Sequence, residues 1–406
     1  MFNDQEPSGR HSFNFHLSLF IFFKTDMQTS KFAFDDIGIT IECASFEASN
    51  GTNEHHLILH VAPRSEMFTG QYLRITEGEQ RLLELPAFKA SKVIMRRYFL
   101  SDSSNQVPLM KEHNDACAYS YIQQPPLDGS KVALWVYLID EVEVSSNNGT
   151  TLVSHNGYTH LWRMGMHHGE GDSASQTKYL LEHYEEDLAR HHATLADNCI
   201  RTWFFVRDVD TQYMGMVKAR TENFTTQGLT EKTHYIASTG IQGLPANQHA
   251  IIQLGAYALT GFEPSQMYYL YAPTHLNPTY EYGVTFERGT VVEFGDRAHA
   301  YISGTASINN KGEVVHIGDI EAQTYRMMEN VKVLLEEGDF KESDIAQIII
   351  YLRDLCDYDC VKDIISKHYS SIPQIYTLAP VCRPEWLIEM ECIAIKHQSK
   401  PFYKDF

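Results

Sequence analysis

Positive charge is scarce in this 406-residue chain: 33 Lys and Arg stand against 52 Asp and Glu, a formal net charge of -19. That balance argues against a nucleic-acid surface, because affinity for a phosphate backbone comes chiefly from Lys and Arg. A small anionic substrate in a locally basic pocket remains compatible with it. Cysteine is sparse as well. Its seven copies are irregularly spaced, so neither a disulfide framework nor a zinc module is expected, and a reducing cytoplasm is the expected setting. Long apolar runs are missing too. The nearest approach, residues 13–23 (FNFHLSLFIFF), is too short to span a bilayer and lacks a small-residue cleavage site, so no membrane partner is expected. Residues 1–26 read as an extension, with Met27 as an alternative start.

What is present is a composition fit for packed domains: 43% hydrophobic and 21% charged residues over a length that suggests two or three cores. Self-similarity organises them. Gly171-Asp172 with Ser175-Gln176-Thr177 recurs as Gly318-Asp319 with Ala322-Gln323-Thr324. Thr202-Trp-Phe-Phe-Val-Arg-Asp208 recurs as Ile348-Ile-Ile-Tyr-Leu-Arg-Asp354, and residues 251–259 match 387–395. The order is the same in both copies, which points to two similar domains in tandem.

Each copy carries strands, a helix, a strand, a helix and closing strands. In the second copy, Met327, Val331, Leu334 and Leu335 share one helical side ahead of Gly338, a helix stop. The β-branched run 345–352 follows as a buried strand, then a helix over 359–368 and strands over 375–379 and 387–395. In the first copy the helices are expected over 176–190 and 213–225, with entering strands over 131–140 and 159–163. This is an α+β class, with a mixed sheet and two helices packed on one face of each domain. Expected boundaries are 27–265 for a divergent first domain with extra strands and 278–400 for the second. The strand-like stretch 27–97 reads as an added layer on the first copy.

The second copy resembles RidA (YjgF) domains through Tyr301-Ile-Ser-Gly-Thr-Ala-Ser307, Gly318-Asp-Ile-Glu-Ala-Gln-Thr324, Glu329-Asn330, Leu352-Arg-Asp354 and Ile388-Glu-Met-Glu391. The resemblance implies the fold shared with chorismate-mutase-like proteins. It also implies trimers with sites at domain interfaces, a homotrimer unless the copies build such an interface within the chain. RidA-type proteins are often labelled ribonucleases, which the acidic charge disfavours. RidA deaminases hold a substrate carboxylate with an Arg fifteen residues ahead of the terminal Glu, and here that position is Gln374. Imine deamination therefore loses its anchor.

The whole chain is similar to the chorismatases, through Gln124-Pro-Pro-Leu-Asp-Gly129, Leu161-Trp-Arg-Met-Gly165, Arg201-Thr-Trp203, residues 213–220, Ala237-Ser-Thr-Gly-Ile241, Arg288-Gly289 and Cys382-Arg-Pro384. That likeness implies a cofactor-free enzyme of aromatic secondary metabolism that removes pyruvate from chorismate. Cys382 and Gly240 resemble the subgroup that forms 3-hydroxybenzoate. The alternatives are an imine deaminase of RidA type and a non-catalytic metabolite-binding protein.

Cleaving an enolpyruvyl ether needs a proton delivered to the methylene carbon, a task for a carboxylic acid of raised pKa. Glu389 fits by position, beside Leu387, Ile388 and Trp386, with Glu391 on the same strand face. The aligned first-copy residues are Gln253 and Gly255, so only the second copy bears acids, and Glu391 is the better structural candidate of the two. A substrate with two carboxylates calls for Arg and Tyr donors. Tyr213 and Arg220, seven residues apart, fall on one side of a helix, and by resemblance this pair holds the substrate. Arg288 and Arg163 are further candidates, with Thr305 in the Gly304-Thr305 turn, which lacks any phosphate-loop or dinucleotide fingerprint. His167-His168, Glu170 and Asp172 lack zinc spacing, so no metal is expected.

Overall fold

The computed structural model describes residues 27–406 apart from 112 and 114. The expected extension at 1–26 lies outside the described residues. Where two copies are expected, three six-stranded sheets are found. The first unit contributes β1 (Gln28–Phe34), β2 (Ile39–Phe46), β3 (Glu54–Val61), β4 (Ser91–Leu100), β5 (Ala118–Gln123) and β6 (Val132–Asp140). The second contributes β7 (Glu143–Asn147), β8 (Thr150–His155), β9 (Tyr158–His167), β10 (Cys199–Val206), β11 (Ala237–Gln242) and β12 (Ile252–Thr260). The third contributes β13 (Met267–Leu270), β14 (Gly289–Glu293), β15 (Arg297–Ala306), β16 (Ile345–Leu352), β17 (Gln374–Leu378) and β18 (Ile388–His397).

All three sheets have one topology. Their orders are β1-β2-β3-β6-β4-β5, β7-β8-β9-β12-β10-β11 and β13-β14-β15-β18-β16-β17. Each has one parallel pair, β4–β5, β10–β11 or β16–β17, in an otherwise antiparallel sheet. The stretch 27–97 is thus no added layer; it forms half of a complete unit. The strand at 131–140, expected to enter the next copy, is β6, the pairing centre of the first sheet.

The repeated Gly-Asp…Gln signature is structural. Gly171 and Gly318 take positive φ, and Asp172 and Asp319 cap α2 (Ser173–Arg190) and α4 (Ile320–Glu337) by accepting from the amides of Ser175 and Ala322. Gln176 and Gln323 then accept the backbone N–H of Ile251 and Leu387, just ahead of the last strand of each unit, at 2.7 and 2.9 Å. In the first unit Gln71, on α1 (Phe68–Leu83), does the same for Lys131 at 2.7 Å. This one glutamine survives of the motif there.

Alternation along β6 explains the layers. Val132, Leu134, Val136 and Leu138 face α1, while Ala133, Trp135, Tyr137 and Ile139 face a core shared by the three sheets. α2 and α3 (Val209–Thr226) cover the second sheet, and α4 and α5 (Tyr358–His368) the third. The expected pair of helices per unit therefore holds for the second and third. In the first unit the second helix is a single turn, Ser103–Gln106.

A pseudo-threefold ring of backbone hydrogen bonds joins the units. The N–H groups of Gln123, Gln242 and Leu378, each at the end of its unit's parallel strand, donate to the carbonyls of Leu244, Pro380 and Pro125 at 2.9, 3.2 and 2.8 Å. Every acceptor lies two residues beyond its own unit's donor, so each unit gives one bond and receives one. The interface arrangement implied by the RidA likeness is built within a single chain.

At the axis the Glu391 carboxylate accepts from the Arg201 guanidinium at 2.9 Å, the Trp203 indole at 2.9 Å and the Thr239 hydroxyl at 2.5 Å. Arg97 of the first unit adds an ion pair at 3.5 Å and lies over Trp135, Trp203 and Phe205. Burial pushes the pKa of both arginines down, and Glu391 opposes that. Neutralising this one acid would leave two buried cations uncompensated. Glu391→Gln is accordingly expected to cost about 3–5 kcal/mol of stability, read as a lowered urea midpoint at unchanged m-value.

Candidate active site

Register places the candidate acid. Leu100, Val206 and Leu352 pair with Val132, Ile252 and Ile388, so the next residues, Ala133, Gln253 and Glu389, are equivalent. Of the three interfaces, one carries an acid at this position. Gln253 donates to the Ser120 hydroxyl at 3.1 Å and Ala133 can donate nothing.

Glu389 is 5% exposed. No hydrogen bond to its carboxyl occurs among the described residues, in contrast to Glu391 two residues on. Its carboxyl lies over Gly304, where a Cβ would overlap Oε1 and push the carboxyl aside. Burial pushes the Glu389 pKa up to about 8, the charge of Glu391 adds to this, and Arg201 and Arg288 oppose it. The group is therefore a protonated acid at neutral pH.

The second unit supplies the opposite wall. Tyr213 and Arg220 project from α3, and Ser238 and Gly240 from β11. Arg220 is 1% exposed. Its Nε donates to the Thr285 hydroxyl at 3.3 Å, one terminal nitrogen has no partner, and the guanidinium lies over the Phe204 ring. Arg288, just ahead of β14, donates to the carbonyl and side-chain oxygens of Asn277 at 3.0 and 3.3 Å and stacks on Tyr282 and Phe286. Neither arginine pairs with a carboxylate among the described residues. A buried guanidinium without an ion-pair partner is costly, and both of these face one cavity with hydrogen-bonding capacity left over.

Arg383 is a third, half-buried guanidinium on the wall, while the hydroxyl and thiol groups there are neutral. Burial, with the nearby Cys382, holds the Tyr213 hydroxyl well above its ordinary pKa. Burial and the adjacent Glu389 push the Cys382 thiol up to about 12. Tyr213 also fixes the need for Gly240, where a Cβ would approach its ring to 2.9 Å.

Six of the eight residues singled out from sequence, Glu389, Cys382, Arg220, Tyr213, Gly240 and Arg288, line one cavity. The other two lie elsewhere. Arg163 points to the helix side, donating to Asp187 at 2.9 Å, and Thr305 donates to the Ser303 carbonyl at 2.9 Å within the sheet. Sequence reasoning passed over Ser238, Tyr282, Phe286 and Arg383; the loop residues among them have no periodicity to betray them.

Gln374, judged from sequence to stand where a deaminase has its Arg, faces a different interface. It lies in a cleft between the third and first units and donates to the carbonyls of Tyr369 and Ile372. Thr202 pairs with Ser238 as Ile348 pairs with Gln374, so Ser238 is the equivalent residue in the Glu389 cavity. Neither position holds an arginine. His167 approaches the Gly165 carbonyl and His168 stacks on Tyr179. No group of three His, Cys, Asp or Glu suited to a metal occurs among the described residues, and none of their helices is long and apolar enough to cross a membrane.

Comparison with known proteins agrees with the third unit as the recognisable part. Residues 291–396 match the family model described as endoribonuclease L-PSP. A RutC family protein of Pyrococcus abyssi is 34% identical over 99 residues, 24% of this chain and 77% of its own length. The 3-aminoacrylate deaminase RutC of Acinetobacter baylyi is 29% identical over 96 residues, 23% of this chain and 76% of its own. Among solved structures, a chorismatase aligns with a TM-score of 0.60 at 18% identity, covering 74% of this chain and 92% of that one. Its likeness is one of fold, and it extends well beyond the third unit. With a third unit that matches over three quarters of such relatives, this chain belongs to the RutC family.

Proposed function

We propose that the chain is a chorismatase-like enzyme that releases pyruvate from chorismate. One observation carries the reading: a protonated Glu389 faces the same cavity as two buried arginines, Arg220 and Arg288, that make no ion pair among the described residues. An imine of a small amino acid offers one carboxylate, and two buried cations exceed its need. Chorismate bears one carboxylate on the ring and one on the enolpyruvyl arm, which matches Arg220 and Arg288. The fold likeness to a chorismatase supports the same choice.

In this reading Glu389 delivers its proton to the enolpyruvyl methylene carbon, making the ether carbon electrophilic. The bond between ring carbon 3 and the ether oxygen then breaks, and that oxygen leaves with pyruvate; the neighbouring 4-hydroxyl oxygen bonds to carbon 3 and its bond to carbon 4 opens, which leaves the hydroxyl at position 3. The ring loses a proton as it becomes aromatic, matching the proton that Glu389 spends. 3-Hydroxybenzoate and pyruvate together contain all the atoms of chorismate, so no water is consumed, whereas a dihydroxycyclohexadiene product would consume one. A tight cavity with the neutral Cys382 thiol and the Tyr213 hydroxyl on its walls favours the dry route. No step calls on a cofactor.

A lactate-dehydrogenase-coupled assay tests the reaction. Pyruvate is expected from chorismate with the wild-type chain, and Glu389→Gln is expected to lower kcat by about 10²–10⁴ with the fold intact. Absence of pyruvate together with accelerated ammonia release from 2-aminoacrylate would reverse the choice in favour of the deaminase.

Because the acid must hold its proton, the active form is present below the Glu389 pKa and lost above it. The value of kcat/KM is expected to fall as pH rises through about 8, and a rate that rises over that range would exclude Glu389 as the acid. Arg220→Met is expected to raise KM for chorismate by about tenfold or more, with the smaller effect on kcat. Equal losses in both parameters would deny it a ground-state binding role.

A further inference from the structure

The Glu389 cavity encloses only about 40 Å³, room for a few waters, whereas pockets that take small organic ligands span roughly 300–1,000 Å³. Any substrate with a ring must therefore displace part of the wall. Most of that wall is fixed: β11, β15 and β18 are sheet strands, and α3 is packed on β10 and β11. The segment between β13 and β14 is different. Over 279–286 it makes a single 3₁₀ turn, Thr279–Tyr282, and otherwise has no regular structure. It closes on itself, with the Thr279 hydroxyl donating to the Phe286 carbonyl at 2.6 Å and accepting from the Phe286 N–H at 3.3 Å.

Three further features mark this segment. Its inner side chains, Tyr282, Val284 and Phe286, line the cavity, while Thr279 and Tyr280 line an outer cleft of about 390 Å³, and Arg288 borders both spaces. The segment thus has space to move into. Its polar ties across to α3 and to the Arg383 loop are long: Arg220 and Thr221 to the Thr285 hydroxyl at 3.3 Å, and Arg383 to the Tyr282 carbonyl at 3.4 Å. The Tyr282 ring is held by two cations, with the Arg288 and Arg383 guanidiniums 5.3 and 4.9 Å from its centroid. Next to it Gly283 has φ +86 and open space around its would-be Cβ, a position free to act as a pivot.

We propose that residues 279–286 form a lid over the Glu389 cavity, with Tyr282, clamped between Arg288 and Arg383, as its latch. Substrate enters from the outer cleft as the lid swings into it. An arriving anion draws Arg288 away from Tyr282 and so couples binding to lid movement. Tyr282 is a positioning residue in this scheme. The inference does not depend on which substrate enters.

Peptide-resolved alkylation of Cys382, a partly exposed thiol on the cavity wall, by iodoacetamide tests the lid without any substrate. In wild type, Cys382 is expected to label more slowly than exposed Cys356, at a rate that lid opening raises. Tyr282→Ala, which removes the latch, is expected to speed it by about tenfold or more, with exposed Cys356 unchanged as the internal reference. Thr279→Ala, which unties the loop ends, is expected to act in the same direction, and it decides the matter if Tyr282→Ala does not fold. Rates within about twofold of wild type in the folded variants would overturn the lid. Failure of chorismate turnover would leave this result untouched.

Discussion

The buried carboxylate of Glu391 is the contact on which the rest of the structure depends. It belongs to the third unit, its hydrogen-bond donors Arg201, Trp203 and Thr239 to the second, and its ion-pair partner Arg97 to the first. No other group described above joins all three units by charge. It also sets the chemistry nearby. Glu391 shares a strand face with Glu389, and two carboxylates so placed resist ionising together. Glu391 takes the donors Arg201, Trp203 and Thr239, while Glu389 has none among the described residues; burial first, and the neighbouring Glu391 second, hold its proton on. The Thr239 hydroxyl that donates to Glu391 also accepts the Gly304 N–H at 2.9 Å, which holds in place the glycine over which the Glu389 carboxyl lies.

Three units of one topology offer three equivalent interfaces, and the sequence differences decide what each becomes. At one, Gln253 is spent on a hydrogen bond to Ser120. At another, where the equivalent residue is Ala133, a cleft holds half-buried His60, whose pKa, against desolvation, is raised to about 9 by Asp128 and Glu42. The third keeps Glu389, two buried arginines without ion-pair partners among the described residues and the lid. Covalent linkage of the units is what permits this division of labour, because identical chains in a symmetric trimer would have to carry the same residue at every interface.

Much of this was legible in the sequence, and the parts that were not have physical reasons. The second and third units announced themselves through Gly-Asp…Gln, since capping and the tie to the last strand demand those residues. The first unit kept only Gln71 of that set and shortened its second helix to one turn. With little signature left, its strands read as an added layer. Phe99-Leu-Ser-Asp102, an echo of Tyr351-Leu-Arg-Asp354, was the remaining clue. Glu389, Tyr213 and Arg220 could be chosen because strand and helix periods fix side-chain direction. Tyr282 and Phe286 could not, because they sit in a loop whose course follows from tertiary packing. Arg163 was misplaced for a related reason: its strand, β9, lines no part of the Glu389 cavity and at Gly165 packs against Tyr119 of the first unit, a placement that tertiary packing decides.

The central claim is that Glu389 carries a proton at neutral pH because it is buried, without a hydrogen-bond donor among the described residues, beside a second acid, Glu391. Infrared difference spectroscopy between wild type and Glu389→Gln at pH 7 reads the state of this group directly. The account predicts a protonated carboxylic C=O band that is present in wild type, absent in the variant, and lost from wild type as pH rises through about 8. A carboxylate band at pH 7 that titrates near the ordinary range of about 4 would contradict it.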